Sequence, residues 1–186
     1  MIKCVVYDLD DTLYPETDYV QSGFDAAAKY LADRFSLNKE HISSSFWDVF
    51  QNGDRSAVFN TVLDRLKLEY DRDLIDELVN IYRLHFPVIT LPEDSKQVLE
   101  ICRRNYKTAL LTDGYLPAQE YKVRALGIEK YFQCIIYTES LGRQFWKPST
   151  VGFEKILKEL NVAAENSVYI ADNQLKDFIG PNRLGF

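Results

Sequence analysis

Four short apolar runs govern what this chain can fold into. They occupy residues 2–7, 108–111, 134–137 and 168–171, and each stops abruptly at a polar cluster. Runs this brief, with little polar alternation, read as strands buried on both faces of a parallel sheet. Helical patterns separate the last three. One spans 93–105, one spans 118–126 with Gly127 as its stop, and one follows Ser149, with Phe153, Ile156, Leu157 and Leu160 on a single face. Strands alternating with helices of this length predict an α/β fold built on a doubly wound parallel sheet.

Between Tyr14 and Thr90 no strand is convincing. Val20, Phe24, Ala27, Leu31 and Phe35 recur at helical spacing, and Asp18 with Gln21 suggests a capping-box-like start. Three further stripes follow: Ile42, Phe46, Val49 and Phe50; Val58, Val62 and Leu66; and Leu74, Leu78, Ile81 and His85. The pattern predicts an all-helical module at 14–90, inserted into an α/β core made of 1–13 and 91–186. A length of 186 residues suits one domain carrying such an insertion.

Several function classes fall away. A formal net charge of −6 argues against a nucleic-acid-binding surface, which needs a basic stripe. No apolar run approaches a membrane span. The chain opens directly on a strand, leaving no room for a signal peptide, so a cytoplasmic location is expected. Cys4, Cys102 and Cys134 sit among apolar neighbours and read as buried thiols in a reducing compartment. The two histidines, His41 and His85, both lie in the insertion, so a Ser-His-Asp triad or a histidine-rich zinc site has little to be built from.

The polar breaks carry the chemistry. In Val5-Val6-Tyr7-Asp8-Leu9-Asp10-Asp11-Thr12 a strand runs into three carboxylates, and alternation sends Asp8 and Asp10 the same way. Two acids placed together repel and lose hydration, which a cation or a shared proton must offset. In an open α/β sheet ligands bind beyond the carboxyl ends of the strands. There the second strand supplies Thr112, Asp113 and Gly114, and the last supplies Asp172 and Asp177. Lys147 lies in the loop after the third strand. These groups are expected to converge on one crevice.

Taken together, Asp8-Leu9-Asp10-Asp11-Thr12, Leu111-Thr112-Asp113-Gly114, Lys147-Pro148 and Ala171-Asp172-Asn173-Gln174-Leu175-Lys176-Asp177 resemble the four ordered motifs of the haloacid dehalogenase superfamily. The likeness is to its phosphatase branch with a helical cap, and the inserted module stands where such a cap would be. The resemblance implies Asp8 as a nucleophile that forms an aspartyl-phosphate, and Asp10 as the acid and base. It implies Mg²⁺ held by Asp8, Asp172 and the backbone carbonyl of Asp10. Lys147 and the Thr112 hydroxyl would hold the phosphate, helped by the Asp113 backbone N–H. Asp177 and Thr12 would support these groups from behind. An acid at Asp10 separates phosphatases from the dehalogenases, which lack it.

Two departures stand out. Ala171 replaces a glycine common in relatives, and the chain ends at Phe186, where relatives usually add another strand at the sheet edge. The expected reading is a Mg²⁺-dependent phosphatase of a small phosphomonoester, such as a sugar phosphate or a nucleoside monophosphate. It is expected to be a monomer or homodimer, with Tyr14, Gln21 and Arg55 as candidates to face the substrate. The alternatives are a phosphotransferase such as a sugar phosphate mutase, a phospho-accepting signalling module, and a catalytically silent scaffold.

Overall fold

The structure, a computed structural model, describes residues 1–186. It contains four strands and eight α-helices. The strands are β1 (Cys4–Tyr7), β2 (Lys107–Thr112), β3 (Cys134–Tyr137) and β4 (Ser167–Ile170). All pair in parallel, in the order β3-β2-β1-β4. The α/β fold with a doubly wound parallel sheet is therefore as the sequence predicts, and β4 is an edge strand bonded to β1 alone.

The register explains the apolar runs. Val6 lies beside Ala109 and Tyr169, and Leu111 lies beside Ile136. Cys4, Val6, Ala109, Leu111, Cys134 and Ile136 form one face, packed on Phe153, Ile156 and Leu160 of helix α7 (Val151–Leu160). Val5, Tyr7, Thr108 and Leu110 point the opposite way and are buried too. Helix α5 (Glu93–Asn105) packs against β2 and buries Leu99 completely. With both faces covered, the central strands show no alternation of apolar and polar positions. Cys4 and Cys134 are buried free thiols, whereas Cys102 on α5 is only half-buried.

The chain divides into two compact units, Met1–Glu16 with Ile89–Phe186, and Thr17–Val88. The second unit is helical, comprising nearly all of α1 (Glu16–Phe35), then α2 (Lys39–Asn52), α3 (Val58–Arg65) and α4 (Arg72–Leu84). Its core gathers the predicted stripes, with Val20, Phe24, Leu31, Ile42, Phe46, Val62 and Leu78 all buried. The rings of Phe24 and Phe46 stack at 5.3 Å. A mid-helix glycine costs about 1 kcal/mol relative to alanine. Gly23 is required all the same, because a Cβ there would stand 2.5 Å from the Tyr82 ring. No helix of either unit is long and apolar enough to cross a membrane.

The ends of β1, β2 and β4 differ from expectation by one or two residues, and two helix starts differ for local reasons. Helix α1 starts at Glu16, because the Glu16 N–H donates to the Asp11 carboxylate at 2.8 Å, which takes the capping role expected of Asp18. Helix α7 starts at Val151, with the Ser149 hydroxyl accepting the Val151 N–H at 3.3 Å. A short helix α8 (Ile179–Leu184) follows β4 and contains Pro181. Proline is tolerated in a first helical turn, where its missing N–H would have had no intrahelical partner. Helix α6 (Ala118–Leu126) runs as predicted and ends on Gly127 at φ 63°.

Candidate active site

Because the strands are parallel, their carboxyl ends form one rim. The Asp8 N–H donates to the Ile170 carbonyl at 2.9 Å, extending the β1–β4 ladder to the first residue of the site loop. Asp11 then adopts φ 52°, a left-handed conformation that Asp tolerates better than most residues, and the Leu13 N–H closes on the Leu9 carbonyl at 2.9 Å. This sharp turn brings Asp8 and Asp10 into one cavity of about 370 Å³, whose lining also includes Asp113, Lys147, Asp172 and Lys176. Larger hollows exist in the helical unit, one lined by Asp73, Asp76 and Glu77 without a lysine, the other by Asp18, Asp25, Lys29 and Lys39, but neither lies at the strand ends.

Lys147 is the hub of the α/β rim. Its Nζ lies 2.8 Å from Asp8 Oδ1, 2.9 Å from Asp177 Oδ1 and 3.0 Å from the Tyr169 hydroxyl. Three oxygens, two of them carboxylate, therefore surround the ammonium, although Asp177 Oδ1 makes an ion-pair contact without hydrogen-bond geometry. Burying an unpaired charge would be prohibitive, so this set of partners is what lets the Lys147 side chain sit at 1% exposure. Burial works against the ammonium, but neighbouring Asp8, Tyr169 and Asp113 outweigh it and raise its pKa above the ordinary lysine value. Burial pushes the Asp8 carboxyl up to about 6, with Lys147 opposing the shift and Asp177 adding to it.

One carboxylate oxygen from each of Asp8, Asp172 and Asp177 lies within 4.8 Å of the other two. Three carboxylates against one ammonium leave two negative charges uncompensated. An all-oxygen donor set with that deficit fits a hard divalent cation such as Mg²⁺. Asp8 and Asp177 are buried whereas Asp172 is exposed, so the cluster opens to solvent on the Asp172 side. Asp177 also accepts the Asn173 N–H at 3.1 Å, which holds the turn that carries Asp172.

The remaining predicted residues fall in distinct places. The Asp10 carboxylate lies outside the three-acid group and accepts from Lys122 at 2.8 and 3.0 Å, from Gln119 at 2.8 Å and from the Tyr14 hydroxyl at 2.6 Å. Thr112 is buried at the end of β2 and its hydroxyl accepts from Gln119 at 2.6 Å. The Asp113 carboxylate turns toward the β3 loop, accepting from the Thr138 hydroxyl at 2.7 Å and from the Lys147 N–H at 3.2 Å. It thereby fixes the backbone that carries Lys147. The Thr12 hydroxyl is buried without a hydrogen-bond partner. Gln21 and Arg55 bond within the helical unit, Gln21 to Asp25 and Ser43, and Arg55 to the Phe50 carbonyl.

Sequence reasoning missed Gln119, Lys122, Thr138 and Tyr169. A signal existed for the first two. In Ala118-Gln119-Glu120-Tyr121-Lys122-Val123-Arg124-Ala125-Leu126 both sit one turn from the apolar positions that face the sheet.

A sequence profile of the haloacid dehalogenase-like hydrolases matches residues 2–185. The chain is a haloacid dehalogenase-like hydrolase. Among curated relatives, this hydrolase is 27% identical over 192 residues to the glyceraldehyde 3-phosphate phosphatase of Methanocaldococcus jannaschii, spanning all of this chain and 82% of that one. It is 26% identical to the ribulose-1,5-bisphosphate 5-phosphatase of Halopiger xanaduensis, with the same coverage. Its fold is similar to a putative β-phosphoglucomutase from Thermotoga maritima at TM-score 0.68 and 17% identity, covering 99% of this chain and 82% of the other.

Proposed function

We propose that this hydrolase is a Mg²⁺-dependent phosphatase that cleaves small phosphomonoesters through a phosphorylated Asp8. The observation that carries the reading is the buried Asp8–Lys147 contact of 2.8 Å beside the three-acid group. In this reading a nucleophile, a cation for the phosphate oxygens and a divalent-ion site stand together, which is what phosphoryl transfer requires.

In this reading Lys147 grips Oδ1 of Asp8 and aims the other oxygen at phosphorus. The Asp8–phosphorus bond forms as the ester P–O bond breaks, and Asp10 gives its proton to the departing alkoxide. Asp10 then takes a proton from water, the water oxygen bonds to phosphorus, and the Asp8–phosphorus bond breaks to release inorganic phosphate. The Thr112 hydroxyl and Lys147 hold phosphate oxygens throughout. Asp8, Asp172 and the Asp10 carbonyl would hold Mg²⁺, supported by Asp177, and the ion would supply positive charge that lowers the repulsion between carboxylate and phosphate. The acid at Asp10 favours phosphoryl transfer over dehalogenation.

Curated relatives named for glyceraldehyde 3-phosphate and ribulose 1,5-bisphosphate make short sugar phosphates the first substrates to try. The helical unit Thr17–Val88 serves as the cap, with substrate selection as its task. Hydrolysis of para-nitrophenyl phosphate tests the class: it requires Mg²⁺ and disappears in Asp8→Asn. Full activity in that variant removes Asp8 as nucleophile.

A further inference from the structure

Helix α6 carries two polar side chains that a helix of an α/β unit would ordinarily turn to water. Gln119 is 2% exposed and Lys122 is 4% exposed. Spaced i, i+3, they share a face, and burial obliges them to find partners. Both find them on the site loops. Lys122 Nζ spans the two oxygens of Asp10 at 2.8 and 3.0 Å. Gln119 Nε2 lies 2.8 Å from Asp10 Oδ2, 2.6 Å from Thr112 Oγ1 and 2.7 Å from the Asp113 carbonyl.

The acceptors fix which way the amide points. A carboxylate and a carbonyl can only accept, so the nitrogen of Gln119 faces these oxygens and its two N–H donors are shared among three of them. The amide nitrogen accepts nothing, so the Thr112 hydroxyl must aim its own proton elsewhere. Its other contact within the protein is to the Asp113 carbonyl at 3.4 Å, long for an O–H donor. That leaves the proton free to be given to a phosphate oxygen. Asp10 in turn is held on both oxygens, so its position relative to Thr112 is set by one side chain that touches both.

The geometry points to Gln119 and Lys122 as positioning residues that hold the proton-transfer group, Asp10, in register with the phosphate-holding Thr112. This inference rests on the phosphatase reading and deepens it, by naming what aligns the acid with the leaving oxygen. General acid catalysis matters most when the leaving oxygen is strongly basic. An alkoxide needs a proton delivered on time, whereas para-nitrophenolate departs without one.

The test is Lys122→Met and Gln119→Met, each assayed with para-nitrophenyl phosphate and with an alkyl ester such as glyceraldehyde 3-phosphate. For either variant kcat is expected to fall at least about tenfold further on the alkyl ester than on the aryl ester, with the Mg²⁺ concentration for half-maximal activity unchanged. Equal losses on both esters, or none, overturn the inference and leave the phosphatase reading standing. If Lys122→Met does not fold, Gln119→Met carries the same expectation alone, because it removes no buried charge. A wild-type protein that hydrolyses neither ester overturns both readings.

Discussion

Lys147 Nζ stands 2.8 Å from Asp8 Oδ1, with the two side chains only 1% and 8% exposed. The same nitrogen is 2.9 Å from the fully buried Asp177. One cation therefore keeps two interior acids apart from each other and from the core. Its removal strips both acids of their partner at once, which makes Lys147 a stability residue as well as a candidate for phosphate binding.

Lys147→Met is expected to lower unfolding free energy by about 3–5 kcal/mol, the cost typical of breaking a buried ion pair from one side. Chemical denaturation in EDTA measures it. Saturating Mg²⁺ is expected to restore part of the loss, since a divalent ion at the three-acid group supplies the missing positive charge. Phosphatase activity is expected to stay absent under both conditions.

The Asp8 carboxyl, pushed up to about 6 by burial, gives a pH dependence with a definite sign. Its folded-state pKa lies above the unfolded value, so the folded chain binds the proton more tightly. The contribution of this group to stability is fully present below pH about 4 and is lost as pH rises through about 6. In EDTA the wild type is expected to show this downward slope, and Asp8→Asn is expected to lack it. Mg²⁺ held by Asp8 would compete with the same proton. The Mg²⁺ concentration for half-maximal activity is thus expected to rise about tenfold for each unit below pH 6.

Asp172 separates metal binding from folding. It is the exposed member of the three-acid group, so Asp172→Asn is expected to unfold within about 0.5 kcal/mol of wild type when metal is absent. A bound ion at about 100 times its dissociation constant adds roughly 2.7 kcal/mol to a protein that binds it only when folded. Thermal unfolding with and without Mg²⁺ should show an upward shift for wild type and little or none for Asp172→Asn.

What the sequence showed and what it hid follow from the same physics. Strand β3 and helices α5 and α6 were readable to the residue because each has a clean boundary: an apolar run meeting a polar cluster, or a helical stripe meeting Gly127. Helix α1 was not, since the carboxylate that caps it belongs to Asp11 in the site loop, five residues before the first helical N–H. Asp8, Lys147 and Asp172 could be expected to meet because each follows the end of a parallel strand. The Gln119–Asp10 and Lys122–Asp10 contacts were hidden, because these side chains come from within helix α6 rather than from the end of a strand. On a helix, polar residues look like a solvated face until the partner is seen. Tyr169 was hidden differently: within a run read as uniformly apolar strand, its hydroxyl proves to be a third acceptor for Lys147.

The covalent role proposed for Asp8 is open to direct measurement. Wild-type protein mixed with para-nitrophenyl phosphate and Mg²⁺, quenched in acid within the first turnovers and digested, should yield one phosphorylated peptide, the one containing Asp8. That peptide should be absent from Asp8→Asn and from samples quenched after EDTA treatment. Sustained phosphate release by a wild-type enzyme whose Asp8 peptide never carries phosphate, or a phosphopeptide from elsewhere in the chain, would contradict the account.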